Sequence, residues 1–133
     1  MNISDGTTLK PVKSPYQDLE ERAFQFARET RSFLKSIPKT IINIDDIKQL
    51  LRSSGSIGAN YIEANESLGE KDFLMKIRTA RREAKESSYW LRLIETSDTQ
   101  LEERRRELIR EAHEFLLILS TIIKNRESNA SGI

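Results

Sequence analysis

The chain contains no cysteine. Disulfides and thiolate chemistry are therefore excluded, a usage that fits a reducing compartment. Histidine occurs once, as His113. Five glycines and three prolines in 133 residues are too few for a turn-rich or disordered chain. Long apolar runs are missing as well. The longest, Phe115 to Leu119, falls far short of the about 20 residues that cross a bilayer. The opening MNISDGTTLKPVKS lacks the apolar stretch of a signal peptide, and a cytoplasmic location is expected. A surplus of one charge is absent too. The 22 Lys and Arg residues against 21 Asp and Glu leave +1, so affinity for nucleic acid or anionic membrane must come from local patches.

What is present is charge and helical periodicity. Charged residues make up 32% and hydrophobic residues 37%, the mix of a single, highly charged helical domain. Residues 1–13 carry no periodicity and read as a flexible tail. In Ser14-Pro15-Tyr16-Gln17 a serine N-cap, a proline at the first helical position and a closing glutamine form a helix start. Leu19, Ala23, Phe26, Thr30, Phe33 and Ile37 then share one face, and Pro38 ends the helix. Asn43 or Asp45 is expected to cap a second helix, with Ile47, Leu50, Ser54, Ile57, Tyr61, Ala64 and Leu68 inward and Gly69 as its stop. In the third helix Phe73, Ile77, Ala80, Ala84, Ser87, Leu91 and Ile94 alternate four and three without a break. Ser97 and Gln100 form a further candidate capping box, and the fourth helix runs to about Arg126. The expected fold is all-α, an antiparallel up-down-up-down four-helix bundle over residues 14–126, with a flexible tail at 127–133.

Gly55-Ser56-Ile57-Gly58 interrupts the second helix with small residues. A phosphate-binding loop needs glycines between a strand and a helix N-terminus, with a Lys-Ser/Thr pair following, and neither is here. A GxxG nucleic-acid loop belongs to a sheet-backed module, which this sequence does not encode. Glycine inside a helix costs up to about 1 kcal/mol relative to alanine, so two within one turn point to close approach of another helix. On a helical wheel Arg52, Ser56, Asn60 and Glu63 form a stripe nearly opposite the core face, flanked by Ala59. Such a stripe is either a solvated polar face or a contact between protomers in which Arg52 and Glu63 pair.

"LLRSSGSIGANYIEA", followed by "KDFLMKIRTARREAKESSYWLRLI", resembles the bacterial four-helix-bundle family of proteins encoded in 23S rRNA intervening sequences. The resemblance covers about residues 16 to 126. Arg52, Ser56, Asn60 and Glu63 match its helix-two signature, and Glu86, Trp90 and Leu91 its helix-three signature. It implies a four-helix protomer assembled into a homopentameric ring. A more distant branch, the accessory proteins of diversity-generating retroelements, engages a reverse transcriptase and nucleic acid. That branch is strongly basic, whereas this chain is nearly neutral.

The fourth helix carries more apolar residues than one stripe needs, since Leu108, Ile109, Ala112, Phe115, Leu116, Ile118, Leu119, Ile122 and Ile123 sweep about 180°. Leu117 points outward. On the third helix Trp90 sits at the edge of the core stripe and Leu93 nearly opposite it, with Glu86 between. Trp90 either closes one end of a wide core or belongs with Glu86 and Leu93 to a contact surface. Surplus apolar surface is most often used for symmetric self-assembly.

Catalytic and metal chemistry find little support. Carboxylate di-iron bundles need Glu-x-x-His on two helices, and three residues before His113 stands Arg110. Glu111 and Glu114 flank His113 but project in other directions, so His113 is read as a surface residue. A G-x-S-x-G nucleophile elbow is missing, and Glu63 and Glu86 are better explained as arginine partners. No catalytic, cofactor-binding or metal-binding residue and no cofactor is expected.

A basic stripe remains. Arg78, Arg82, Lys85 and Arg92 share one line on the third helix with Tyr89 interleaved, and Arg104-Arg105-Arg106 and Arg110 open the fourth. Such residues can grip phosphates, and Tyr89 can stack on a base. Glu70, Asp72, Glu83, Glu102, Glu103 and Glu107 are interspersed, the pattern of a solvated salt-bridged surface. The expected protein is a non-enzymatic homo-oligomeric scaffold or adaptor whose contacts involve Arg52, Ser56, Ala59, Asn60, Glu63, Glu86, Trp90 and Leu93. The alternative is an RNA- or DNA-binding accessory protein using Arg78, Arg82, Lys85, Tyr89 and Arg92. A protein partner fits either; no membrane or small-molecule substrate is indicated.

Overall fold

Helical periodicity in the sequence becomes four helices in space: α1 (Pro15–Lys35), α2 (Ile41–Asn65), α3 (Glu70–Leu93) and α4 (Thr99–Ala130). The computed structural model describes residues 15–130, among which there is no strand. The expected tail at 1–13, Ser14 with its capping box, and residues 131–133 lie outside them.

Each helix packs on its neighbour in the chain, α1 on α2, α2 on α3 and α3 on α4, and α4 closes the bundle against α1. The backbones of the diagonal pairs stand farther apart than those of neighbours, so the cross-section is a square with a helix at each corner. The α2–α3 contact is the most extensive and the α1–α4 contact the sparsest. The core is the set of four-three stripes read from the sequence, with Phe26, Phe33, Leu50, Ile57, Ile77, Leu91, Phe115 and Leu119 all buried. Phe26 and Phe115 meet edge to face across the α1–α4 side, their ring centres 5.6 Å apart. Leu117 is 51% exposed.

The paired glycines lie within continuous helix, and Gly58 faces α1. A methyl group there would stand 3.2 Å from the Cβ of Ala23, itself buried, so the missing side chain sets the α1–α2 separation. Gly55 faces only the flexible end of Arg31. On the other flank of α2, small residues bring α3 near. Ser87 donates its hydroxyl proton to Ser53 Oγ at 2.9 Å between two fully buried positions.

The helix ends depart from expectation at four points. Thr40, not Asn43 or Asp45, caps α2: its backbone is extended and its Oγ1 accepts from the Asn43 N–H at 3.2 Å. The first turn of α2 leaves Ile41 and Ile42 exposed, so apolar spacing gives no sign of it. Asn43 is buried and joins the two connections at that end of the bundle. Its amide donates to the Pro38 carbonyl and its Oδ1 accepts from the Glu95 N–H, both at 3.2 Å. At its other end α2 stops at Asn65 rather than running to Gly69. Leu68 is 104% exposed and off the inner face, while extended Gly69 precedes the first turn of α3. Asp98 replaces Ser97 as the cap of α4, its Oδ1 accepting from the N–H groups of Gln100 (2.7 Å) and Leu101 (3.1 Å). Helix α4 continues beyond Arg126 to Ala130, taking in residues 127–130 that were expected in the tail. There Glu127 pairs with Arg78 of α3, and Arg126 pairs with Glu70 and lies over the Phe73 ring at 3.9 Å.

Candidate functional site

Two neighbouring sides of the square carry the residues singled out from the sequence, and α3 is common to both.

The first is the α2–α3 side. Arg52 extends from α2 to two carboxylates of α3, Glu86 at 3.1 Å and Glu83 at 3.4 Å. Three turns further along α2, Glu63 accepts from Lys76 of α3 at 2.7 Å. Arg52 and Glu63 thus each pair with their own protomer's α3 and not with each other. Between them Ser56 donates to the Arg52 carbonyl (2.9 Å) and Asn60 to the Ser56 carbonyl (2.8 Å), folding both side chains down onto the helix. Ala59 is exposed beside them. The stripe therefore flanks α3, with Ser56 and Asn60 half-buried, instead of standing opposite the core. A wheel divided only into core and outside misses this flank, because each helix in a square bundle is covered on two sides.

Glu86, Trp90 and Leu93, spaced four and three on α3, continue the same side. Trp90 is half-buried against the core, its ring edge-on to Tyr89 at 5.1 Å. Leu93 is 43% exposed. Glu83, one of the interspersed acids by sequence, is only 6% exposed. Its Oε1 and the Trp90 Nε1 are buried without a hydrogen-bond partner. An isolated buried carboxylate is costly, which explains why the Arg52 guanidinium is held beside it.

The second is the α3–α4 side. Lys71, Arg78, Arg81, Arg82 and Lys85 line an open groove of about 800 Å³ whose remaining walls are Met75, Thr79, Leu116, Leu117 and Ser120. No carboxylate lines it. Of the basic stripe, Arg78, Arg82 and Lys85 enter the groove. Exposed Tyr89 lies beyond it against Trp90, and Arg92 also lies outside. Lys71 was missed although it stands seven residues before Arg78, on the same line. Arg81 was missed because it sits nearer the core edge, where the α4 flank lies.

The arginine run at the start of α4 divides. Arg105 turns inward and donates to the carbonyls of Leu91 (3.0 Å) and Arg92 (3.3 Å), capping the C-terminal end of α3, where a cation is favoured. It also chelates Glu102 at 2.6 Å. Hydrogen bonds from Arg105 and then Thr96 hold the Glu102 carboxyl down to about 2. Exposed His113 stands apart from both sides, and among the described residues no three His, Cys, Asp or Glu side chains group as a metal set. No helix among them is long and apolar enough to cross a membrane.

Comparison with known proteins agrees with this architecture. Residues 17–121 match the family model described as 23S rRNA-intervening sequence protein. No curated protein matches the chain. The 1.70 Å crystal structure of a protein of unknown function from the S23 ribosomal protein family of Bacteroides thetaiotaomicron is similar, with a TM-score of 0.68 and 31% identity. That likeness covers 80% of this chain and 98% of the other. With nearly four fifths of its length matched by the model and its fold shared with such a relative, the chain belongs to the 23S rRNA-intervening sequence protein family.

Proposed function

We propose that the protein is a non-enzymatic, cytoplasmic scaffold or adaptor that works as a homo-oligomer, a ring of five copies as the family resemblance implies. The observation that supports this reading is the α2–α3 side. There Ser56, Ala59 and Asn60 form a low surface, Trp90 and exposed Leu93 supply apolar area, and Arg52 and Glu63 are already paired within the protomer. Charges paired in advance keep their partners when water is excluded, so burying this side strands neither Arg52 nor Glu63. Light scattering coupled to gel filtration is expected to give a mass several times the 15.4 kDa of the chain. Ala59→Arg is expected to reduce it to the protomer with helical content unchanged. A fully assembled Ala59→Arg variant would show that this side is solvent.

The carboxylate-free lining of the α3–α4 groove favours a second reading, an accessory protein that holds an RNA or DNA backbone on Arg78, Arg82 and Lys85. Binding through several phosphates weakens steeply with salt. A mobility-shift titration at two salt concentrations is the test, and salt-independent or absent binding argues against it.

A further inference from the structure

Helix α3 carries two stripes of opposite sign, displaced by one residue. Asp72, Lys76, Glu83, Glu86 and Trp90 run along the α2 side, and Lys71, Met75, Arg78, Arg82 and Lys85 along the α4 side. On the α2–α3 side the cations Arg52 and Lys76 are outnumbered by Glu63, Asp72, Glu83 and Glu86, and the Arg52 guanidinium is shared between two of these. On the α3–α4 side five cations line the groove, and Glu127, paired with Arg78, is the carboxylate at its edge.

We propose that the α3–α4 groove of one copy receives the α2–α3 side of a second copy, a head-to-tail contact that rests on the self-assembly reading above. Charge complementarity names the occupant, since the groove is cationic and the other side has surplus carboxylate. The groove's apolar lining points the same way. Met75 is 54% exposed and Leu117 nearly as much. A phosphodiester has no use for them, whereas Trp90 and Leu93 do, and arginine and methionine are enriched where proteins meet. Geometry supplies the third argument. The two sides adjoin at α3, so their outward directions differ by about a right angle, and a head-to-tail contact between such sides turns each successive copy toward the first, as a closed ring requires. In that ring α3 faces the axis.

The test uses two variants of the full chain. Arg82→Glu combined with Lys85→Glu alters exposed residues that hold no ion pair among the described residues, and Ala59→Arg blocks the opposite side. Each alone is expected to be a folded protomer by circular dichroism and light scattering. Mixed in equal amounts they are expected to form a 1:1 dimer, because one intact groove then meets one intact α2–α3 side. A wild type that is itself a protomer overturns both this pairing and the reading beneath it. An assembled wild type whose Arg82→Glu/Lys85→Glu variant keeps the same mass overturns the pairing alone. So does a mixture that stays monomeric. Loss of binding to a labelled single-stranded oligonucleotide with unchanged mass would assign the groove to nucleic acid instead.

Discussion

At the scale of single residues, Gly55 and Gly58 share a helical turn and a composition but not an environment. Gly58 faces the buried Ala23 of α1 at a distance that leaves no room for a larger group, and Gly55 faces the movable end of Arg31. Gly55→Ala is therefore expected to stabilise the protomer by up to about 1 kcal/mol through helix propensity and loss of unfolded-state freedom. Gly58→Leu is expected to cost about 1–3 kcal/mol by overpacking the α1–α2 contact. Urea denaturation of both variants separates the cases. Glu102 gives a second residue-level expectation. Its carboxyl is held at about 2 by Arg105 and Thr96, below the ordinary 4.5. A depressed carboxyl contributes stability above 4.5 that is lost as pH falls toward 2. Over that window the wild type should lose more stability than Glu102→Gln, which has no proton to take up there; equal losses would count against the Arg105 clasp.

At the scale of elements, the helix interiors were readable and the ends were not. Apolar spacing located the buried faces of α1, α3 and α4 because burial in a bundle repeats at the helical period. Ends are set by single hydrogen bonds, and Thr40, Asp98 and Gly69 carry no periodic signal. The same limit applied to Asn43, read as a cap from its residue type but used as a clasp between chain segments 52 residues apart. Asn43→Ala removes the acceptor of the Glu95 N–H and the donor to Pro38 together. The expected loss is about 1–3 kcal/mol, the cost of leaving buried polar groups unmet. Asn43→Asp keeps the acceptor and should lose less in the same denaturation experiment. The candidate surfaces divide in a similar way. Arg52, Glu63, Glu86 and Trp90 were found from their spacing, but that Arg52 and Glu63 would face α3 depends on which corner of the square each helix occupies. A single helix does not encode that.

At the scale of the whole molecule, the four sides of the square are unequal. The α2–α3 side is drawn together by the Ser53–Ser87 hydrogen bond and by the Arg52 and Lys76 pairs. The α1–α4 side is joined most sparsely, with the Arg22–Glu111 pair and the Phe26–Phe115 contact across it. Partial opening should begin where fewest contacts are broken, so α1 is expected to separate first. Hydrogen exchange is expected to show weaker protection for the interior amides of α1 than for those of α2 and α3. Uniform protection would mean that the bundle opens as one unit.

The one-residue displacement between the two charged lines of α3 sets how the gene can drift. Inserting a single codon near the start of this helix would turn everything after it by about 100°, swinging the lysines and arginines to where the glutamates now sit and pulling the apolar positions off the core. The four-residue connection before it, with its bare Leu68, can lengthen or shorten at little cost. Insertions and deletions among descendants of this sequence should therefore collect in that connection and spare the helix.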